Sequence, residues 1–584
     1  MLRVLLPAVA TGVLLWAAFF PLDLGPLGFV ALVPWLSLVR ADVSRRRRYL
    51  AAYLGGVVFF ALATQWIRVA HQMMYMSWLG LSVIMPVTWV LALDLVRRSD
   101  RLGVPLALSV PVAWVGLEYV RMHFPTGFPF LAELGLQHMI GFGWYFLGYT
   151  QHAFLPLVQV ADLGGVYAVS FVVAAVNGAV AGWVYCSRPS PLAGEGGRES
   201  SSGRVRGEAV PSPIAHPSLG GEAPPPSPAR GEGKKPVLST AAVLALVAAC
   251  VGYGSWRLGH AEFAPGPRVA ALQGSVPQDA KDGSGSTLVK AYRKLFFEAL
   301  DARPTPDLVV WPETCFPDEW VEVAEGEQAD PEFARAAQKC AEAFAKGPPA
   351  VPTLLGLNGL AWEGGRRWKY NSALLLDTRG HKLGRYDKMH LVPFGEYVPL
   401  GETLPFMSVF TPYKHDYSCR PGQLWTRLPL AAGDRSYKFG CLICYEDSDP
   451  SLARRYAAAD PVDFFVNISN DGWFDGTEEH EQHLAICRFR AVETRRAVVR
   501  AVNMGISGVI DPDGRIVTIP GDTWSASKKV EAVVSAVVPI DSRTTLYARF
   551  GDWVPAACWL AVALSLRRPR RREGLPGPGA PASG

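Results

Sequence analysis

A glutamate, a lysine and a cysteine, each set at a strand edge, are the groups in this sequence best suited to act together. Glu313 follows Leu308-Val309-Val310-Trp311-Pro312, Lys388 follows Tyr386-Asp387, and Cys444 follows Cys441-Leu442-Ile443. A thiol nucleophile needs a base to take its proton and a cation or N–H donor to offset the oxyanion its attack creates. Placed at strand edges, Cys444, Glu313 and Lys388 supply those functions for attack on an acyl carbon. Glu396 adds a second carboxylate in the turn-rich segment that follows Lys388.

Taken singly, each of these residues reads as a surface charge or a buried small hydrophobe, so the case rests on the set. Cys441 and Cys444 form a CxxC that could serve redox chemistry or zinc. No second CxxC exists, and strand alternation puts the two thiols on opposite faces. His480-Glu481-Gln482-His483 lacks the spacing of a zinc-binding helix, which leaves those histidines as structural or surface groups.

The elements that must position the set lie in residues 268–541, where β-type runs alternate with helical patterns at 288–300 and 483–496. That stretch, within a segment spanning 257–552, is long enough to bury a full core. The rest of the 584-residue chain is different: 49% of all residues are apolar and only 19% charged, too apolar for an ordinary soluble protein. A bilayer-spanning helix needs roughly 20 apolar residues. Residues 4–39 suit two spans, broken at Pro21 and Pro26, and 49–67, 75–93, 103–116 and 163–186 suit four more. This predicts a membrane domain over 1–186 with six spans, a seventh at 237–256 and a short eighth at 553–566.

The net charge of +5 is modest, and the basic residues cluster between apolar runs, as topology signals do, which argues against a nucleic-acid partner. Arg45–Arg48, Arg97 with Arg98 and Arg101, Lys234 with Lys235, and the basic tail 567–584 all fall on one side of an eight-span chain. The positive-inside rule places that side, with both termini, in the cytoplasm and residues 257–552 opposite. Residues 187–236 are rich in Gly, Pro, Ser, Glu and Arg and read as a disordered cytoplasmic loop. Asp23, Asp94 and Glu118, the ionisable residues in or beside the spans, fall near predicted helix ends and read as interfacial. The nine cysteines are scattered and odd in number, so no disulfide framework is expected.

Together, the Glu, Lys and Cys stretches resemble the signature of the carbon–nitrogen hydrolase (nitrilase) superfamily. More closely, the chain resembles its membrane-bound branch, the apolipoprotein N-acyltransferase family, over nearly its full length apart from 187–236. The resemblance is carried by Trp311-Pro312-Glu313, by the run from Asp387 through Glu396 to Pro399, by Ile443-Cys444-Tyr445-Glu446, and by Asn470-Asp471-Gly472-Trp473-Phe474. Segments 128–151 and 159–162, Arg490–Glu493 and Asn503–Ser507 add to it.

The resemblance implies an α-β-β-α four-layer sandwich beside the membrane bundle. It implies Glu313 as general base, Lys388 as oxyanion-stabilising lysine and Cys444 as nucleophile, with Glu396 as a second essential carboxylate and Tyr445 and Glu446 flanking the nucleophile. Trp473 and the apolar arm 404–413, with Phe406 and Phe410, are expected to contact lipid or close the site. No metal or organic cofactor is needed. The implied reaction moves a fatty acyl group from a phospholipid, with phosphatidylethanolamine as the expected donor, through a Cys444 thioester. The acceptor is the N-terminal amine of diacylglyceryl-cysteine on apolipoproteins, and the enzyme belongs in a bacterial inner membrane with its catalytic part on the periplasmic face. Two departures stand out: Ser275 where an Asn is expected and Asp282 where an aromatic residue is common. Three other readings stay open on the residues alone: a membrane-tethered amidase that uses water, a non-catalytic lipid carrier and a transporter.

Overall fold

The computed structural model describes residues 1–124, 141–186, 236–278, 286–398, 406 and 417–567. The expected loop 187–236 and basic tail 567–584 therefore lie almost wholly outside the described residues, as do Asp282 and residues 128–131.

Among the described residues, three helices are long and apolar enough to cross a membrane: Met74–Arg101, Val166–Tyr185 and Val237–Gly259. Leu2–Ala17, Gly25–Val39 and Trp553–Ser565 are apolar but shorter. Prolines account for the first two, since Pro21, Pro26 and Pro34 interrupt what one continuous apolar run would otherwise form. Helices Arg45–Ala63 and Leu106–His123 carry charge inside their length. Arg97, Arg98 and Arg101 sit in the last turns of Met74–Arg101 rather than in a loop beyond it, and Arg97 donates to the Leu38 carbonyl at 3.3 Å.

Small residues bring these helices together. A Cβ at Gly12 would lie 2.5 Å from the Gly55 carbonyl oxygen, and one at Gly55 would lie 2.5 Å from that of Ala8. Helices Leu2–Ala17 and Arg45–Ala63 thus touch backbone to backbone, as small residues permit in an apolar medium. Trp35, Trp89 and Trp114 pack edge-on or tilted with ring centroids 5.7–6.2 Å apart. Glu118, read from the sequence as interfacial, is enclosed by protein. It is buried in Leu106–His123, where it accepts from the Leu147 backbone N–H at 2.6 Å and from Trp114 Nε1 at 3.0 Å.

The described residues of the second half form thirteen strands: β1 (Ala264–Gln273), β2 (Leu308–Val310), β3 (Trp320–Val323), β4 (Thr353–Glu363), β5 (Arg366–Leu376), β6 (Lys382–Asp387), β7 (Arg427–Ala432), β8 (Arg435–Ile443), β9 (Phe464–Ser469), β10 (Ala497–Val502), β11 (Gly508–Ile510), β12 (Ile516–Thr518) and β13 (Ala532–Ile540). They form two sheets, ordered β13-β1-β2-β4-β5-β6, with β3 paired to β4, and β12-β11-β10-β9-β8-β7. Side-chain alternation explains the layering. Val269, Ala271, Leu308, Val310 and Leu375 point into a core shared with Phe439, Phe464 and Val466 of the other sheet. Their neighbours Ala270, Leu272, Val309 and Leu374 point the other way, onto Leu288, Tyr292 and Leu295 of helix Ser286–Asp301. The nitrilase-like sandwich follows from that period of two.

Helix Glu479–Thr494 joins the two halves, and all its residues are buried. Leu484, Cys487 and Ala491 enter the sandwich core, whereas Ile486, Phe489 and Val492 join the core of the N-terminal helices. Arg495, at its end, is fully buried and clamps the same boundary: it meets Asp162 at 2.7 Å, Gln159 Oε1 at 2.6 Å and Asp513 at 2.5 Å. The 159–162 segment singled out from sequence is one half of this clamp.

Candidate active site

Glu313, Lys388 and Cys444 each follow the C-terminal end of a strand: β2, β6 and β8. β2 and β6 belong to one sheet and β8 to the other, so the set assembles only where the sheets face each other. Lys388 is 1% exposed. Its Nζ lies 3.0 Å from Glu313 Oε1 and 2.9 Å from Glu396 Oε2, one ammonium between two carboxylates. Asn371, on β5, donates through Nδ2 to Glu313 at 2.7 Å and to Glu396 at 2.6 Å. The Asn470 backbone N–H donates to Glu313 Oε2 at 3.0 Å, and the Val392 N–H to Glu396 Oε2 at 2.8 Å.

Cys444 takes a positive φ of 52° immediately after β8, a conformation few non-glycine residues adopt. It is half-buried, whereas Cys441 lies wholly inside the core between the sheets, and both are free thiols. Burial first, and then the charge of Glu313, push the Cys444 thiol well above its ordinary pKa, and Lys388 pulls the other way. The resting group is therefore a neutral thiol. Lys388 stays charged: burial opposes its charge, but Glu313 and Glu396 outweigh it and hold its pKa well above the usual lysine value.

Glu446 follows Cys444 in the short turn Cys444–Ser448, but its carboxylate turns inward. It accepts from the backbone N–H of Ile443 at 2.7 Å, Met389 at 2.6 Å and His390 at 3.1 Å, and from Tyr386 Oη at 2.8 Å. One carboxylate thus ties the segment after Lys388 to the strand end before Cys444, a positioning arrangement. Tyr445 Oη donates to the Gly141 carbonyl at 2.9 Å, which fastens the turn that carries Cys444 to the N-terminal half.

Of the expected lipid contacts, Trp473 and Phe406 are among the described residues. Trp473 is half-buried in the short helix Asp471–Phe474; it is the next residue, Phe474, that packs edge-on against Trp66 at 4.8 Å. Phe406 is 61% exposed and stands outside the buried cluster. Phe410 lies outside the described residues.

Sequence reasoning missed Asn371, which stands beside Ser372 where the polar start of β5 gives way to its apolar end. It also missed a buried ion cluster next to the turn that carries Cys444. His483 contacts Asp447 Oδ1 through Nε2 at 2.8 Å and Asp471 Oδ1 through Nδ1 at 3.2 Å. Arg500 meets Asp447 at 2.9 Å and Asp471 at 3.6 Å. His480 and His483 are buried, so they are structural rather than surface groups. Asp471, Glu479 and His483 lie close enough to hold a metal ion. Both ring nitrogens of His483 already face carboxylates, and a doubly protonated ring has no lone pair to give.

Burial disfavours the charge on His483, but Asp447 and Asp471 raise its pKa to about 10. The folded-state value exceeds that of the unfolded chain, near 6.5. The stabilisation is thus complete below about pH 6.5 and lost as pH rises through about 10. The thermal midpoint of wild type is expected to fall between pH 7 and 10, and His483→Gln, already lower at pH 7, should show a flatter decline. Equal slopes in thermal scans across that range would overturn the assignment.

A two-sheet sandwich with this strand-end constellation defines a carbon–nitrogen hydrolase domain, and residues 268–542 match the model of that family. Residues 11–179 match the model of the apolipoprotein N-acyltransferase N-terminal domain. The chain belongs to the apolipoprotein N-acyltransferase family. It is 32% identical to the apolipoprotein N-acyltransferase of Geobacter metallireducens, covering 98% of this chain and 96% of that relative. It is 27% identical to that of Rhodopirellula baltica over 95% of each chain. Against the Azotobacter vinelandii protein of the same name the identity is 30%, over 98% of this chain and 96% of the other.

Proposed function

We propose that this chain transfers a fatty acyl group from a phospholipid to the N-terminal amine of diacylglyceryl-cysteine on apolipoproteins, through a thioester on Cys444. The observation that carries the reading is the buried Glu313–Lys388–Glu396 constellation set against a nucleophile turn that is fastened to an apolar helical half. Glu313 takes the thiol proton, and the thiolate attacks the ester carbonyl. The carbonyl oxygen gains negative charge, which the Lys388 ammonium offsets. The ester C–O bond breaks, and the proton on Glu313 passes to the departing lysophospholipid. In the second half the acceptor amine attacks the thioester, Glu313 takes the amine proton, and Cys444 leaves and is reprotonated. A raised thiol pKa requires such a base, because a free cysteine near pKa 8.5 is only a few per cent ionised at neutral pH, about 3%.

Phosphatidylethanolamine is the proposed donor. We place the apolar helices as eight spans of a bacterial inner membrane, with both termini cytoplasmic and residues 257–552 on the periplasmic face, so that both lipid substrates reach Cys444 without leaving the bilayer. An amidase that uses water needs only a single anchor, and the extent of the apolar half, which matches the apolipoprotein N-acyltransferase N-terminal model over residues 11–179, favours a lipid acceptor.

The test is a thioester trap: purified protein in detergent with acyl-labelled phosphatidylethanolamine, wild type beside Cys444→Ala. Label on Cys444 that hydroxylamine releases, and that a diacylated lipopeptide amine discharges, is the expected result. No adduct on wild type with accessible lipid, or turnover of a small amide instead, would overturn the reading.

A further inference from the structure

Behind helix Glu479–Thr494, away from the nucleophile, lies a groove of about 790 Å³ between the N-terminal helices and the catalytic domain. His480, His483 and Cys487 face the catalytic side of that helix, whereas Glu481 and Arg488, two turns apart on another face, line the groove. From the N-terminal half come Phe20, Asp23 and His152, and from the far side Trp524 and Lys528. Phe20 stacks on Trp524 at 5.7 Å, and the Arg488 guanidinium lies 5.0 Å from the centre of the Trp524 ring.

Arg488 is the unusual member. It is 8% exposed, and its Nη1 donates to the His152 carbonyl at 2.6 Å. Its Nε is buried with no hydrogen-bond partner, and among the described residues no carboxylate forms an ion pair with it. Asp23 and Asp511 lie near enough to offset part of its charge, but neither pairs with it directly. A buried guanidinium with no carboxylate in contact is costly, and its planar fork is the geometry that matches phosphate oxygens. The surrounding charge decides what kind of anion fits. Lys528 is paired with Glu481 at 2.7 Å and His152 with Asp23 at 2.8 Å, and Glu478 adds a third carboxylate. Carboxylates outnumber the charged lysine and arginine, so a bare anion meets repulsion, whereas a ligand with an ammonium beside its phosphate satisfies both signs.

We propose that this groove is a second, non-catalytic site for a zwitterionic phosphodiester headgroup, with the phosphate on Arg488 and the ammonium toward Asp23 and Glu478. The ligand is either an intact phospholipid or its soluble deacylated headgroup. Phe20 and Asp23 follow the first apolar helix directly, which puts the groove where a lipid headgroup layer begins; that placement alone rests on the proposed topology.

The experiment measures binding to full-length Cys444→Ala in detergent by calorimetry, so the readout is independent of acyl transfer. The probes are glycerophosphoethanolamine, dihexanoyl phosphatidylethanolamine and inorganic phosphate. An Arg488-dependent component is expected for the zwitterionic probes, weakened at least tenfold by Arg488→Gln and less by Arg488→Lys. Inorganic phosphate should bind at least tenfold more weakly than either zwitterion, and Asp23→Asn should narrow that gap. Equal binding of the two zwitterions assigns the soluble headgroup, and binding of the dihexanoyl lipid alone assigns the membrane lipid. Isotherms unchanged by Arg488→Gln in a protein with wild-type melting would overturn the site and leave Arg488 as a clamp on His152 and Trp524. If Arg488→Gln does not fold, Arg488→Lys and Asp23→Asn carry the same test.

Discussion

Lys388→Met is expected to lower acyl transfer by about a thousandfold, a larger loss than any change outside the Glu313, Lys388 and Cys444 set. Removal of one oxyanion-stabilising donor costs about 10²- to 10³-fold on its own. Here the same ammonium also separates Glu313 from Glu396, at 3.0 and 2.9 Å. Without it two buried carboxylates share Asn371 Nδ2, and like charges at that separation drive one of them to bind a proton. A protonated Glu313 cannot take the thiol proton, so base and oxyanion partner fail together. Lys388→Arg should not rescue, because a planar fork replaces a compact ammonium in a site with no spare room. The measurement is turnover of labelled phospholipid onto a diacylated lipopeptide, with thermal unfolding alongside. A folded Lys388→Met protein that keeps a tenth of wild-type turnover would remove the lysine from the reaction.

Arg500→Met should be the most destabilising single change in the catalytic domain. Arg500 is fully buried on β10, and its loss leaves His483 as the group that still bridges Asp447 and Asp471. Breaking a buried pair from one side costs about 3–5 kcal/mol, because the orphaned charge stays desolvated. Activity should fall with stability. Asp447 belongs to the turn that carries Cys444, and Asp471 follows Asn470, whose N–H holds Glu313. The double variant Arg500→Met with Asp447→Asn should recover part of the loss, which a thermal or denaturant cycle would read as coupling between the two sites. A single variant as stable as wild type would show that the cluster is not an ion network.

The strands were legible as short apolar runs, whereas their stacking into a sandwich was implied by the resemblance and is decided by how the two faces of each strand bury. In β1, Val269 and Ala271 alternate with Ala270 and Leu272, and the two sets bury on opposite faces. Glu313 and Cys444 were legible because each follows an apolar run at a strand end, and Lys388 because it opens a turn-rich segment with Glu396, all at edges where side chains from different strands converge. The apolar half was legible by composition, but prolines leave three helices of full spanning length among the described residues.

What the linear order alone determined was therefore local: which residues are strands, which runs are apolar, and which reactive types sit at their ends. Tertiary structure decided the partners. Asn371 bridges two carboxylates because β5 lies beside β6, and Glu446 turns to backbone N–H groups because the Lys388 segment crosses over it. Helix Glu479–Thr494 reads as an ordinary charged helix, yet it buries every residue because the catalytic sheet covers one side and the N-terminal helices the other. Burial of a charge depends on what the rest of the chain brings to it, sometimes from more than three hundred residues away, as Asp162 reaches Arg495. No pattern along the sequence carries that distance.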